Sequence, residues 1–443
     1  MRILLSLILI LPAFSAERLN VILFVTDDQS PVAGCYGNSV IKTPHLDALA
    51  KEGTMFTQAF ATTASCSASR SVILSGLHNH FNGQYGHTHH FHKFESFPAM
   101  RAFALPQLMA QAGYRTVQIG KLHVAPESVF HFDEYLKGNP RNAVQMAEVC
   151  KPVFEDQSEE PFFLYFATTL AHGPDRLGTK YKGNPLATPV GFLDKPLEVM
   201  PSRESVTERI AAAGLEREKA DILWLDDGIG ALLDKLKAIN ELENTVIFFI
   251  DDHGVESGKG SLYEGGIKTV SFVYGPNYIK SGLRSKQLVS NIDMVPTALE
   301  LAGIDPKKEY DIDGVSMLPL LKGSTKEIHK SLFFEMGATR AVIKDGYKYL
   351  AFKAPASIKS KLEKNGKKAT HICDKPGGRG SESPALKFYA KNYFDEDQLY
   401  QLEKDPFEQS NLYLDESKKA KIKELKTELK KYLKIVPGTF PID

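Results

Sequence analysis

The sequence has no excess charge of either sign: 54 basic and 54 acidic side chains give a formal net charge of zero over 443 residues. Such a balance supplies no global attraction to nucleic acid or to an anionic membrane, so any anion recognition must be built locally. Cysteine is scarce, with four residues at positions 35, 66, 150 and 373. If Cys66 serves chemistry, three remain and at most one bridge can form, which excludes a disulfide framework as what holds the fold. Beyond the N-terminus no apolar run approaches the roughly 20 residues needed to span a bilayer. Internal repeats of the kind that mark solenoids are absent as well.

What is present begins with "MRILLSLILILPAFSAERLN". A basic start, an apolar run from Ile3 to Leu11 and small residues at Ala13, Ser15 and Ala16 are the anatomy of a signal peptide, residues 1–16, which predicts export to the periplasm or beyond. No cysteine follows the run to take a lipid. The length predicts two unequal parts, because single cores stop growing near about 250–300 residues. A change of character near residue 325 divides them into 17–325 and 326–443.

In the first part, branched apolar residues from Val21 to Val25 read as a buried strand that ends in a polar turn at Asp27. Further strand signals lie at 114–121, 161–168, 244–252 and 268–275, with helical patterns between them. "TPHLDALAKEG" reads as a short helix with Pro44 in its first turn and Gly53 at its stop. Ile222, Leu225, Ile229, Leu232, Leu233 and Leu236 recur at helical spacing, which predicts a helix from about 216 to 238. Alternating strands and helices predict an α/β fold with a large, mainly parallel sheet sandwiched by helices. In such folds ligands bind beyond the carboxyl ends of the strands.

After residue 325, shorter strand-like pieces ("HKSLFFEM", "TRAVIKDGYKYLAF", "DQLYQLEKDP") predict a smaller antiparallel sheet, closed by a Lys-rich helix from about Glu416 to Leu433 with a solvated charged face. The polar, Lys- and Gly-rich stretch from Ala354 to Asn392 reads as a long loop or insertion.

Two acidic pairs, Asp27-Asp28 and Asp251-Asp252, fall at ends of predicted parallel strands. Carboxylates in such pairs can chelate a hard cation through oxygen, and two pairs at one sheet edge with "CSASR" between them are far more specific than either alone. "TDD", "TPHLDALAKEG", "CSASRSVILSG", "GKLH", "LAHGP", "FFIDDHG" and "GKGSLYEGG" occur in the order found in type I sulfatases of the alkaline-phosphatase superfamily. "DQLYQLEKDPFEQSNLY" resembles their C-terminal signature, so the resemblance covers nearly the whole chain. "SGLHNHFNGQYGHTHHFHKFESF" and "GKLHVAPESVFHFDEY" are most similar to the heparan N-sulfatase branch.

The resemblance implies an alkaline-phosphatase-like fold and an exported hydrolase acting on a sulfated saccharide. Cys66 would be oxidised by a formylglycine-generating maturation enzyme, and the aldehyde would hydrate to a geminal diol. Ala68 stands where the recognition core of the family has proline. Asp27, Asp28, Asp252 and His253 match the metal ligands, with an oxygen of modified Cys66 completing the set. Three carboxylates make Ca2+ the natural ion, although most relatives carry Asn where His253 stands. Asp251 is read as a support to these ligands. Arg70, one helical turn from Cys66, would hold the diol and screen the carboxylates. Lys121 and His123 resemble the pair contacting sulfate and diol, with His123 the base for collapse of the intermediate. His172 is the candidate acid at the leaving group, and Lys259 the candidate sulfate-binding lysine.

Between positions 78 and 92 lie His78, His80, His87, His89, His90 and His92. They read either as a metal-binding tract or as a subsite wall that hydrogen-bonds the sugar. The resemblance favours the second and an N-sulfoglucosamine substrate. Lys259, typical of O-sulfatases where N-sulfatases tend to have arginine, keeps an O-sulfated glycosaminoglycan or algal polysaccharide open. A phosphodiesterase or phosphonate hydrolase of the same superfamily, or a non-catalytic sugar-binding protein with an intact thiol, are the rival readings. Oligomeric state is not readable.

Overall fold

Every residue of Asn20–Thr26 (β1) is buried, as a strand flanked on both sides within a parallel sheet requires. It lies in an eight-stranded sheet with Thr54–Phe60 (β2), Arg115–Gly120 (β3), Glu134–Leu136 (β4), Phe162–Ala167 (β5), Thr245–Asp251 (β6), Ser271–Tyr274 (β7) and Leu283–Ser290 (β8). The spatial order is β8-β2-β7-β6-β1-β5-β3-β4. All neighbours pair parallel except β7, which runs antiparallel to β2 and β6. The computed structural model describes residues 18–29, 33–88, 94–156, 160–170, 220–254, 258–305, 311–356, 384–389 and 391–442, with short pieces at 187–188, 191–192, 208–209, 211–212, 214 and 360. The stretch read as a signal peptide, His89, His90, His92, His172 and Cys373 lie outside the described residues.

Alternation along β1 fills two cores. Ile22 and Phe24 face Pro44–Glu52 (α1), Ala143–Val149 (α3) and Ala220–Ala238 (α4), through residues such as Leu46, Val144 and Leu232. Val21, Leu23 and Val25 face Ile73 and Leu74 of Cys66–Ser75 (α2) and Val295 and Leu299 of Met294–Leu301 (α5). The sheet is therefore covered on both sides, as expected. Phe24 stacks on Phe166 and Phe249, with ring centroids 4.9 and 5.4 Å apart.

The register sets the strand ends side by side. Thr26 pairs with Asp251, Val25 with Ala167, and Gly120 with Ala167, so the residues that follow β1, β3, β5 and β6 emerge at one edge.

Leu332–Met336 (β9), Thr339–Lys344 (β10), Tyr347–Phe352 (β11) and Asp397–Gln401 (β12) form an antiparallel sheet in sequential order. Lys419–Leu433 (α6) covers one face with Ile422, Leu425 and Leu429 against Phe333, Val342 and Tyr349. The other face, with Phe334, Leu350 and Tyr400, docks on Phe60 and Tyr263 of the larger part. One expectation is corrected here. The stretch read as a long loop or insertion carries a short helix near its end, Pro384–Phe388, and Tyr389 just after it is buried and stacks on Tyr263 at 3.9 Å; two aromatic rings in contact contribute packing that polar composition concealed. Cys35, Cys66 and Cys150 are free, and among the described residues no helix is long and apolar enough to cross a membrane.

Candidate active site

The site starts from the helix that carries the cysteine. Cys66 is the first residue of α2, and all ten residues of that helix are buried. Asn79 ties the helix down, its Nδ2 donating to the carbonyls of Ala68 and Gln84 at 2.9 Å each. Asn291 does the same from the turn that follows β8: Nδ2 donates to Ser69 Oγ at 2.8 Å, and Oδ1 accepts from Thr62 N at 3.1 Å. Ser69 Oγ in turn donates to the carbonyl of Asp252. The positive end of the helix dipole thus points at the sheet edge, where negative charge is favoured.

Around Cys66 Sγ stand Asp27 Oδ1 at 3.6 Å and His253 Nε2 at 3.2 Å. One donor atom from each of Asp27, Cys66, Asp252 and His253 falls within 4.8 Å of every other. Asp28, in the left-handed region with φ of 56°, reaches back to His253 Nε2 at 3.2 Å. Asp251 is not in this set. Its carboxylate accepts from Thr26 Oγ1 and Gln29 N at 3.0 Å each, tying β1 to β6 beneath the cluster, and burial, with Asp252 adding to it, pushes its pKa well up.

Three cations offset these acids. Arg70, wholly buried, donates from Nε to Asp252 Oδ2 at 2.9 Å, from Nη1 to Lys121 O at 2.9 Å and Tyr165 Oη at 3.1 Å, and from Nη2 to Thr26 O at 3.2 Å. Lys121 Nζ pairs with Asp27. Lys259 Nζ contacts both oxygens of Asp28, at 2.8 and 2.7 Å.

The electrostatics follow from these contacts. Burial pushes the Cys66 thiol up, and Asp27 and Asp252 push it the same way, but the positive charges of Lys259 and His253 outweigh them and hold it down at about 7. Burial would depress His253, yet Asp252, Cys66 and Asp28 raise it to about 10. Its Nδ1 donates to Gly254 O, so Nε2 is the atom turned to the cluster. The residues fit a cation. Among the described residues Asp252 Oδ1 is buried without a hydrogen-bond partner, 3.7 Å from His253 Nε2, and leaving a buried carboxylate oxygen unpaired is costly. Hard carboxylate oxygens together with one imidazole suit a divalent ion.

His123 also has a left-handed φ of 56° and stacks on His87, with ring centroids 5.8 Å apart. Thr88 N donates to Ser67 Oγ at 3.4 Å, so this end of the histidine tract lies against the site. The other end does not point the same way. His80 Nδ1 contacts Glu335 Oε1 at 2.8 Å, and His78 stacks on His80 and meets Phe333 edge-on, with centroids 5.5 and 5.2 Å apart. Both therefore pack against β9 of the smaller sheet, and burial lowers the His78 pKa. Tyr165 and Asn291 are site residues that the sequence reading missed. A tyrosine within the fully buried strand "FFLYFA" is a detectable signal; Asn291 has none.

A mainly parallel sheet covered by helices, whose strand ends gather carboxylates, cations and a helix-borne cysteine, is the alkaline-phosphatase-like fold expected from the sequence. The family model described as Sulfatase matches residues 19–304. Human N-sulphoglucosamine sulphohydrolase is 34% identical over 351 residues, covering 72% of this chain and 68% of its own. An ulvan-active sulfatase of Formosa agariphila is 29% identical over 416 residues, covering 90% and 76%. The chain belongs to the sulfatase family, and it is a hydrolase of sulfuric esters or sulfamates. Among solved structures, one in complex with its substrate D-glucosamine-2-N,6-O-disulfate superposes with a TM-score of 0.65 at 22% identity, covering 94% of this chain and 98% of that one. The phosphonate monoester hydrolase of Agrobacterium radiobacter gives 0.63 at 16% identity, covering 94% and 96%. At such identities these two likenesses speak for the fold alone.

Proposed function

We propose that this protein is an exported carbohydrate sulfatase acting through a formylglycine at position 66, with N-sulfoglucosamine of a heparan-type saccharide as its favoured substrate. The observation that carries the proposal is the cysteine itself. Cys66 sits on a buried helix N-terminus between carboxylates and within reach of His253, where a disulfide or a plain packing role has no use for Arg70, Lys121 and Lys259 around it.

In the proposed reaction one hydroxyl of the hydrated aldehyde gives its proton to Asp27, whose Oδ1 lies 3.6 Å from Cys66 Sγ, and thence to solvent, and its oxygen attacks sulfur. The bond from sulfur to the sugar oxygen or nitrogen breaks, and that atom takes a proton from His172. The second hydroxyl then gives its proton to His123, the carbonyl re-forms, and sulfate leaves; water hydrates the aldehyde again. Lys121 and Lys259 offset charge on the sulfuryl oxygens, while Arg70 fixes residue 66 and Asp252. Asp27, Asp28, Asp252, His253 and an oxygen of modified residue 66 would hold a divalent cation, Ca2+ by its oxygen-rich donors. That ion would stabilise negative charge on the transferring group without proton bookkeeping. His87 beside His123, with His89 and His90 further along the tract, forms the proposed sugar-binding wall; His78 and His80 would support it from below.

The N-sulfatase reading draws on the human relative. Lys259 favours an O-sulfated saccharide as the second reading. Two experiments separate these statements. Mass spectrometry of the peptide carrying residue 66, on protein made with a maturation enzyme, should find the aldehyde, and an intact thiol in active protein overturns the nucleophile. A panel of N-, 2-O-, 4-O- and 6-O-sulfated saccharides should show sulfamate release; desulfation of O-sulfated sugars alone overturns the substrate assignment. Finding residues 1–16 still attached to the native protein would defeat the proposal of export through a cleaved signal.

A further inference from the structure

Lys259 belongs to the larger part of the chain, yet the loop that carries it is gripped by the smaller one. The loop has two ties of its own near the active site. Gly260 N donates to Ala64 O at 3.1 Å, just ahead of Cys66, and Gly254 N donates to Gly266 O at 2.9 Å, just after His253. Where the loop crosses itself the backbones touch: a Cβ on Gly258 would lie 1.9 Å from Gly266 N. Within the loop the carbonyl of Tyr263 also accepts from the amides of Gly266 and Ile267, at 2.8 and 3.1 Å, and that of Glu264 from Lys268 N at 2.8 Å, but the carbonyl of Leu262, the Tyr263 side chain and the amide of Glu264 are held from outside.

Three consecutive residues are held by the smaller part of the chain. Lys348, on β11, donates from Nζ to the carbonyl of Leu262 at 3.1 Å. The carboxylate of Glu408 accepts from the amide of Glu264. Between them, Tyr263 donates its hydroxyl to Gln398 Oε1 at 2.8 Å and stacks on Tyr389. Lys348 and Glu408 also pair with each other at 2.5 Å, both side chains with 0% exposure. Burying two opposite charges side by side gains little over apolar residues of the same size, because desolvation offsets the attraction. An ion pair in that position therefore calls for a reason beyond stability, and the groups it holds, a carbonyl and an amide two residues apart, lie directly downstream of Lys259.

We infer that Glu408 and Lys348 are positioning residues for sulfate binding: the C-terminal subdomain sets the place of Lys259 Nζ by clamping residues 262–264. The inference rests on the proposed role of Lys259 as a sulfate contact. A displacement of about 1 Å at a reacting group can lower the rate by about a hundredfold, so a loop released from the clamp keeps its fold but loses its aim.

The test is a double-mutant cycle in the matured enzyme, between Glu408→Ala and Lys259→Ala, read as kcat/KM on a chromogenic aryl sulfate and as inhibition by inorganic sulfate. Glu408→Ala alone should lower kcat/KM by about 10- to 100-fold and weaken sulfate inhibition by a similar factor. In the Lys259→Ala background the same change should have less than about a twofold further effect, since residues acting through one another are not additive. Fully additive losses overturn the clamp and reduce Glu408 to a general support. Should Glu408→Ala fail to fold, the cycle is run with Lys348→Met/Glu408→Gln, which removes both charges at nearly constant volume. Loss of activity in Lys259→Ala with full activity in this pair variant overturns the clamp and leaves the reaction scheme standing. Unchanged activity and sulfate inhibition in Lys259→Ala itself would remove the role of Lys259, and the clamp with it.

Discussion

Replacing Arg70 by methionine puts the electrostatic architecture of the site to a quantitative test. The side chain has no exposure and holds Asp252 at 2.9 Å, the carbonyl of Lys121 at 2.9 Å and the hydroxyl of Tyr165 at 3.1 Å, with Asp27 3.7 Å away. Methionine keeps much of the volume but leaves Asp252 and Asp27 facing each other in the interior. Removing one partner of a buried ion pair costs about 3–5 kcal/mol, and the orphaned Lys121 carbonyl adds about 1 kcal/mol or more. A loss of about 4–6 kcal/mol is a large share of the 5–15 kcal/mol by which domains are ordinarily stable. Arg70→Lys keeps the charge and one strong contact but not the fork, and should lose about half as much. The single tryptophan, Trp224, is 3% exposed in α4 and reports unfolding in urea without a label. The measurement is made in EDTA and again in saturating calcium. The loss in Arg70→Met should shrink with calcium present, because a bound cation takes over the screening of Asp27 and Asp252. A loss below about 1 kcal/mol, the range of ordinary surface changes, or one that is identical in the two conditions, refutes the assignment of Arg70 as the charge that holds these carboxylates.

Other perturbations test separate parts of the molecule. Phe24→Ala, between Phe166 and Phe249, should destabilise by about 3–5 kcal/mol with no change in the ratio of N- to O-desulfation; a midpoint shift in urea measures it. Asn291→Ala removes the buried link between Thr62 and Ser69 and should lose about 1–3 kcal/mol while lowering kcat, because the first turn of α2 loses its tie to the turn that follows β8. His329 carries a pH signature: burial works against its charge, but Asp293, with both oxygens 2.9 Å from Nε2, raises its pKa above 6.5. The stability this pair adds is fully present below the unfolded value of about 6.5 and is lost as pH rises through the raised folded value. His329→Gln should flatten that part of the stability profile in thermal melts, and an unchanged profile counts against the pair.

How far the sequence disclosed this arrangement depends on what each residue had to signal. Strands buried on both faces, such as "NVILFVT" and "TVIFFID", announce themselves by continuous apolar runs, and the acidic residues after them mark the sheet edge. β8, with "LRSKQLVS" and a half-exposed pattern, and β2, whose "TMFTQAF" mixes polar with apolar residues, carry no such run, because pairing partners far along the chain decide them. The helix that begins at Cys66 is legible through the spacing of Arg70 one turn on, and not through a pattern of its own. Its serines, Ala68 and the apolar residues Val72 to Leu74 are buried alike on every side, so no amphipathic stripe marks it. The histidines divide for a similar reason. His80 finds Glu335, 255 residues away, and no local pattern foretells which member of a tract will meet a distant carboxylate. The antiparallel course of β7 inside a parallel sheet likewise left no mark on "SFVY".

The crossing of Gly258 over Gly266 restricts how this chain can vary. Exchanging glycine for alanine elsewhere is a routine way to gain about 0.4–1 kcal/mol when the backbone permits it. Here a single methyl group on either residue would collide with backbone, at 1.9 Å from Gly266 N or 2.3 Å from Gly258 O, and backbone cannot step aside. Efforts to make the enzyme hardier must leave this crossing untouched. A relative that lacks either glycine must route its loop differently, so a lysine aligned with Lys259 in such a relative does not by itself carry over as an anion contact.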